Sequence, residues 1–193
     1  MLFRSFEPES SVAGTTELKK SKAKKVLQRL KQQYPLLDEK DVLEGEFFPN
    51  LKKQPLKVVN VHGRIQLLLV NSECVFYNHR DGPFLPCLHT LYKYPGIMPR
   101  VQVDKGAIRH ILRGSDVMCP GLTSAGGELP DDETSSKLRA GDPVAIYCEG
   151  KTHPVAVGIL KMSIQDIKEK NEGIGIHEIH HLDDGLWKSH VFD

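Results

Sequence analysis

Three β-rich runs set almost end to end constrain this chain more than any other feature. LKVVNV, RIQLLLV and ECVFYN fill residues 56–78, separated only by His62-Gly63 and Asn71-Ser72. Val, Ile, Phe and Tyr favour a pleated, half-buried surface. Separators this short leave room for hairpin turns and nothing longer. The stretch predicts an antiparallel meander.

Ahead of the meander, Thr15 or Thr16 can cap a helix from about residue 17 to Tyr34, where Pro35 stops it. Ala23, Val26, Leu27, Leu30 and Tyr34 recur at helical spacing and form its buried stripe. The remaining faces are basic: LKKSKAKKVLQRLK, residues 18–31, holds seven Lys or Arg and no acid. Lys19, Lys20, Lys22, Lys24, Lys25 and Arg29 read either as a solvated exterior or as an electrostatic patch facing RNA or the ribosome. After the meander, FLPCLHTLYKYP predicts a short helix, and Pro95-Gly96 with Pro99 punctuates a domain junction. Residues 1–95 are expected to form an α+β domain and 96–193 a second domain.

The second half reads as VQV, a helix over DKGAIRHILR, a strand through VMCPGLT and a polar loop over about 123–142. The strands PVAIYCE and PVAVGILKM follow. Ser163 and Asp166 open a capping box for SIQDIKEKN, which Gly173 ends, and IGIHEIHHL forms a last strand before DDGLW. Strands interrupted by short helices predict a small mixed β barrel, not a parallel βαβ sheet.

Composition narrows the function classes. The net charge of +1 hides 15 basic and 10 acidic residues up to Pro95 against 11 and 15 beyond it. Any polyanion contact must therefore come from local patches. No apolar run approaches the roughly 20 residues that a membrane span needs, and MLFRSFEPESS lacks a secretory h-region. Four scattered cysteines without a C-x-x-C pair argue against a zinc ribbon or disulfide framework and point to a reducing cytoplasm.

His177-Glu178-Ile179-His180-His181 satisfies the H-E-x-x-H zinc pattern to the letter. On a helix its outer histidines would stand about 6 Å apart along the axis. On a strand they stand roughly 13 Å apart, too far to share a metal. The isoleucines and the flanking glycines favour the strand, so no metal is expected. Cys119 lies beside Met118 in an apolar run with no neighbouring base in sequence, which makes it a packing residue and not a nucleophile. Phosphate-loop, dinucleotide-fold and nucleophile-elbow motifs are all absent, and no catalytic residue or cofactor is expected.

DKGAIRHILRGSDVMCPGLT, residues 104–123, is the stretch that suggests a ligand. Asp104 is the expected N-cap and Gly114 the expected C′ residue of a helix of about nine residues. Ile108, Ile111 and Leu112 would be buried, while Lys105, Arg109 and Arg113 recur every four residues as one stripe. Gly106 and Ala107 leave the first turn bare enough for a phosphate backbone to approach, and Pro120-Gly121 adds an expected turn.

VDKGAIRHILRGSDVMCPGLTS closely resembles the opening helix and second strand of PUA domains, small RNA-binding pseudobarrels. AGDPVAIY and HHLDDGLW resemble a later strand and the closing segment. With FYNHRDGPFLPCLHTLYKYP and the lysine-rich helix, the chain resembles the malignant T-cell-amplified sequence family, also called translation-machinery-associated proteins. That resemblance implies a non-catalytic translation factor with a pre-PUA domain and a PUA domain. Its implied partners are the small ribosomal subunit, tRNA and a density-regulated protein, in reinitiation and post-termination recycling. It implies RNA contacts at Lys105, Gly106, Ala107, Arg109, Met118, Pro120 and Gly121, with Arg113 added on charge. Ser115 replaces the family's Ala, a small polar change expected to be tolerated. The acidic Asp131-Asp132-Glu133 is expected to face away from RNA. The other reading is an RNA-modification enzyme or accessory subunit that uses the PUA module to position substrate. The missing cofactor signature and the few residues outside the barrel argue against it.

Overall fold

The computed structural model describes residues 2–39, 41–48 and 56–192. In the first half, a one-turn helix α1 (Pro8–Ser11) leads into strand β1 (Val12–Glu17) and helix α2 (Lys20–Gln33). Helix α3 (Pro35–Glu39) and a π-helical turn (Leu43–Phe47) follow. The meander is β2 (Lys57–Val61), β3 (Ile65–Val70) and β4 (Glu73–His79), then β5 (Leu85–Pro86) and helix α4 (Leu88–Lys93). These strands make one antiparallel sheet in the order β1-β2-β3-β4-β5.

The expected hairpins are present, with one change. Asn71 and Ser72 both hold positive φ, 49° and 68°, as a two-residue type I′ turn requires. The β2–β3 loop has three residues, His62 to Arg64, because Val61 pairs with Ile65. Ala23, Leu30 and Tyr34 are buried under α2, with Val26 and Leu27 partly so. The expected helix start is corrected. Thr15 and Thr16 pair with Val59 and Val58 in β1, and α2 begins at Lys20 with no side-chain cap. Because β1 is an edge strand exposed along most of its length, it carries no hydrophobic alternation for a sequence reading to find.

The second half contains β6 (Arg100–Val103), α5 (Ile108–Ile111), β7 (Val117–Met118), α6 (Cys119–Thr123) and α7 (Asp132–Lys137). Then come β8 (Pro143–Cys148), β9 (Ala156–Leu160), α8 (Ile164–Lys170), β10 (Ile174–His181) and α9 (Gly185–Lys188). The sheet order is β6-β8-β9-β10-β7, with β6 parallel to β8 and the other pairs antiparallel. The small mixed barrel expected from the sequence is present as this curled mixed sheet, a half-barrel with helices. Ser163 caps α8 by accepting from Asp166 N at 3.1 Å, as its spacing predicts. Asn171, in the left-handed region, closes the helix two residues before Gly173.

Three expectations of this half change. The helix over residues 104–113 shrinks to one α turn, the strand through VMCPGLT stops at Met118, and the polar loop contains α7. Pro120 and Gly121 therefore sit in helix α6, not in a turn.

Strands β8 and β9 are buried on both faces, which is why PVAIYC and PVAVGIL read as continuous apolar runs. Val144, Ile146 and Cys148 point into the half-barrel core. Ala145, Tyr147, Val157 and Ile159 join the core beneath the first sheet. The period-2 alternation of a strand thus lets one pair of strands serve two cores.

The chain end completes this union. Gly185 N donates to Phe3 O at 2.9 Å, Cys74 N to His190 O at 2.8 Å and Phe192 N to Ser72 O at 2.8 Å. His180 is almost fully buried, and its Nε2 accepts from Leu88 N at 3.2 Å. The ring proton is therefore on Nδ1, which donates to Asp184 Oδ2 at 2.8 Å. Asp184 also accepts from His181 N at 3.0 Å and Trp187 N at 2.9 Å. Burial raises its pKa, but the His180 ring and these backbone donors outweigh that and hold the carboxyl below its ordinary value. Next to this network, His89 stacks between His190 at 3.7 Å and Trp187 at 4.1 Å. Burial, aided by His190 and His180, pushes His89 down to about 4, so the central ring of the stack is uncharged at neutral pH.

Candidate nucleic-acid interface

The candidate surface in the second half of the chain is built around one carboxylate. Asp104 Oδ1 accepts from Gly106 N at 2.7 Å and Ala107 N at 3.1 Å. Its Oδ2 accepts from the Ser124 hydroxyl at 3.1 Å, and its backbone N–H donates to Gly121 O at 3.0 Å. Asp104 thus fixes the turn before α5 against α6. A Cβ on Gly106 would stand 2.9 Å from Asp104 Oδ1, so only glycine fits without disturbing that carboxylate. A Cβ on Gly121 would meet Ala107 Cβ at 3.6 Å, which shows how closely the two segments abut. Glu149, at the end of β8, accepts from Lys105 N at 3.1 Å.

Along residues 105–114 most backbone bonds run from i to i−3, with a single α turn at the centre. The continuous α-helix that a single stripe of Lys105, Arg109 and Arg113 requires is therefore not what this segment forms. All three are exposed and none joins an ion pair among the described residues. Arg109 Nε donates to His110 Nε2 at 3.3 Å. Gly114 holds φ 81°, as its C′ role requires. Ile111 is buried, Ile108 only partly, and Leu112 is exposed, contrary to the nine-residue helix. Met118 is 50% exposed because β7 is an edge strand, and Pro120 is exposed beside it. Ala107 and Gly121 are half-buried.

The other sequence features sort cleanly. Lys19, Lys20, Lys22, Lys24 and Lys25 are exposed on α2, in the first half of the chain, and no hydrogen bond or ion pair links them to α5 among the described residues. Arg29 is held: its Nη2 donates to Gly82 O at 2.8 Å and its guanidinium lies 4.9 Å from the Phe84 ring centre. Cys119 is buried in the half-barrel core, and burial pushes its thiol up. HEIHH lies on strand β10 with a bulge at Glu178, whose φ is 55°. Its Glu178 Oε1 meets His79 Nδ1 at 3.0 Å, and His180 serves the buried network. Among the described residues no three His, Cys, Asp or Glu side chains are grouped to hold a metal. Asp131 caps α7 through Thr134 N, Asp132 pairs with Lys168 of α8, and Glu133 with Lys137. Sequence reasoning missed Glu149 and Ser124. They reach the 104–107 turn from 44 and 20 residues away, and no local pattern marks either.

The comparisons give this two-sheet architecture a class. Residues 6–95 match the Pre-PUA-like domain and residues 99–182 the PUA domain, so the chain pairs a pre-PUA unit with a PUA unit. A hypothetical protein of the hyperthermophilic archaeon Pyrococcus horikoshii superimposes with a TM-score of 0.70 at 29% identity, over 92% of this chain and all of that one. Malignant T-cell-amplified sequence 1 of Danio rerio is 44% identical, over 96% of this chain and 97% of that protein. Malignant T-cell-amplified sequence 1-A of Xenopus laevis is 43% identical over the same shares. The chain belongs to the malignant T-cell-amplified sequence family.

Proposed function

We propose that this protein is a non-catalytic translation factor that grips RNA through the surface around Asp104. Family membership and the PUA domain support an RNA-binding, translation-related protein. The observation that carries the reading is the set of exposed cations at Lys105, Arg109 and Arg113, none of them in an ion pair among the described residues. They flank a turn whose bare Gly106 is pinned open to solvent by Asp104. Such a surface binds phosphates by charge and adds an apolar ledge, Met118 with Pro120, for a sugar or base. The ligand in this reading is tRNA on the small ribosomal subunit, with a density-regulated protein as heterodimer partner in reinitiation and recycling. The resemblance of the whole chain supports those partners. The cytoplasm follows as the site of action. Among the described residues no helix is long and apolar enough to cross a membrane.

Lys105→Glu combined with Arg109→Glu tests the surface. Both side chains are exposed, so the thermal midpoint should hold. Affinity for tRNA and for small subunits should fall on the order of tenfold or more, with a salt dependence shallower by about one unit per lost phosphate contact. Unchanged affinity across the salt series overturns the assignment.

A further inference from the structure

Two neighbouring turns at one end of the first sheet carry arginines in the left-handed conformation that favours glycine. Arg64, in the β2–β3 turn, holds φ 64°, and Arg80, just after β4, holds φ 49°. The turns are joined directly, with Arg80 N donating to Arg64 O at 2.9 Å. Both arginines are exposed and neither forms an ion pair among the described residues. A left-handed arginine at a tip is a costly way to make a turn, since glycine would serve the backbone better.

Helix α2 extends the same basic end. Gln33 and Tyr34 hold Phe84, and one turn earlier Arg29 holds Gly82 and Asp81. The helix therefore tracks the β4–β5 connection backwards toward its tip. The acids here are Asp81, in the turn itself, and Glu178, which His79 engages. The large exposed apolar side chains among the described residues, Leu36, Leu112, Met118 and Val191, all lie outside these two turns in sequence. A protein partner of ordinary composition needs an apolar centre, whereas an RNA backbone needs only charge and access.

We propose that Arg64 and Arg80, with Arg29 beside them, form a second RNA-backbone contact on the N-terminal unit. The proposal rests on RNA being the ligand of this protein but not on the α5 surface. It makes the protein a two-point RNA clamp in place of a one-sided reader.

The test is Arg64→Gly with Arg80→Gly, measured by fluorescence anisotropy with labelled double-stranded RNA and with polyglutamate as the alternative probe. Glycine relieves both strained positions, so the thermal midpoint should stay or rise while RNA affinity falls roughly tenfold. The salt dependence should become shallower by about two units. Unchanged RNA affinity overturns the proposal. A loss confined to polyglutamate assigns the turns to an acidic protein and overturns it equally. The Lys105→Glu, Arg109→Glu variant, run in parallel, separates the two surfaces. Weakened binding in the glycine variant alone removes the α5 surface and keeps this one, and the reverse pattern removes this one.

Discussion

Asp184→Ala should destabilise the protein by about 3–5 kcal/mol in a denaturant titration. The carboxylate is buried and accepts three hydrogen bonds, from His180 Nδ1, His181 N and Trp187 N. Alanine leaves all three donors without a partner, and each buried orphan costs about 1–3 kcal/mol. The damage does not stop at α9. His180 is oriented by Asp184 and in turn receives Leu88 N from the first half of the chain. Losing the carboxylate frees the ring and loosens the seam between the two sheets. The same group sets the acid limit of the wild type. Its folded pKa lies below the ordinary carboxylate value, so its contribution is complete above the unfolded pKa of about 4. That contribution is lost as pH falls through the folded value. Thermal midpoints measured from pH 6 downward should fall in the wild type through this window and less steeply in Asp184→Ala. Parallel curves would show that Asp184 is not the group responsible.

Gly127→Ala should have the next largest effect, and its route is geometric. A Cβ there would stand 2.5 Å from Leu122 O, 2.6 Å from Leu122 C and 3.1 Å from Gly121 O. These are backbone atoms of α6, so no side chain can swing away to make room. Helix α6 must shift at a cost of about 2–3 kcal/mol. It carries Pro120 and Gly121, and its neighbour Ser124 donates to Asp104. The turn at residues 104–107 should lose its support, weakening RNA binding with every charge in place. The signature is lower affinity with the wild-type salt dependence, because the number of phosphate contacts is unaltered. Full affinity in a destabilised Gly127→Ala would separate α6 from the binding surface.

How far the sequence could be read depended on how local each determinant is. The meander was legible because its strands are apolar and its turns short. The C-terminal strands β8 and β9 were legible because burial on two faces makes them continuous apolar runs. Strand β1 was not, because an exposed edge strand carries no pattern, and its threonines suit a helix cap as well as a strand. The candidate surface divides the same way. Lys105, Arg109, Met118 and Pro120 stand exposed as expected, whereas the regular helix that a stripe of charge needs gave way to 3₁₀-type turns. Asp104 was legible as a capping residue, but its hold on Ser124 was not. Glu149 escaped because β8 delivers it to the turn from far along the chain. HEIHH illustrates the opposite hazard. Its spelling suggests a metal, while on its strand Glu178 meets His79 and His180 serves the buried network.

The return of the C-terminal segment to the first sheet bears on how the chain acquires its structure during synthesis. Leu186 and Phe192 belong to the core beneath β1–β5, and Val191 bridges to Glu73. Domains made on the ribosome generally fold in order, the N-terminal one first. Here the N-terminal unit lacks its last core residues until some hundred further residues have emerged. The nascent first half should therefore stay incompletely packed until that point, and native contacts between such distant residues make for slow closure. Emergence of residues 185–192, not completion of the meander, should then be the event that completes the packing of the first core.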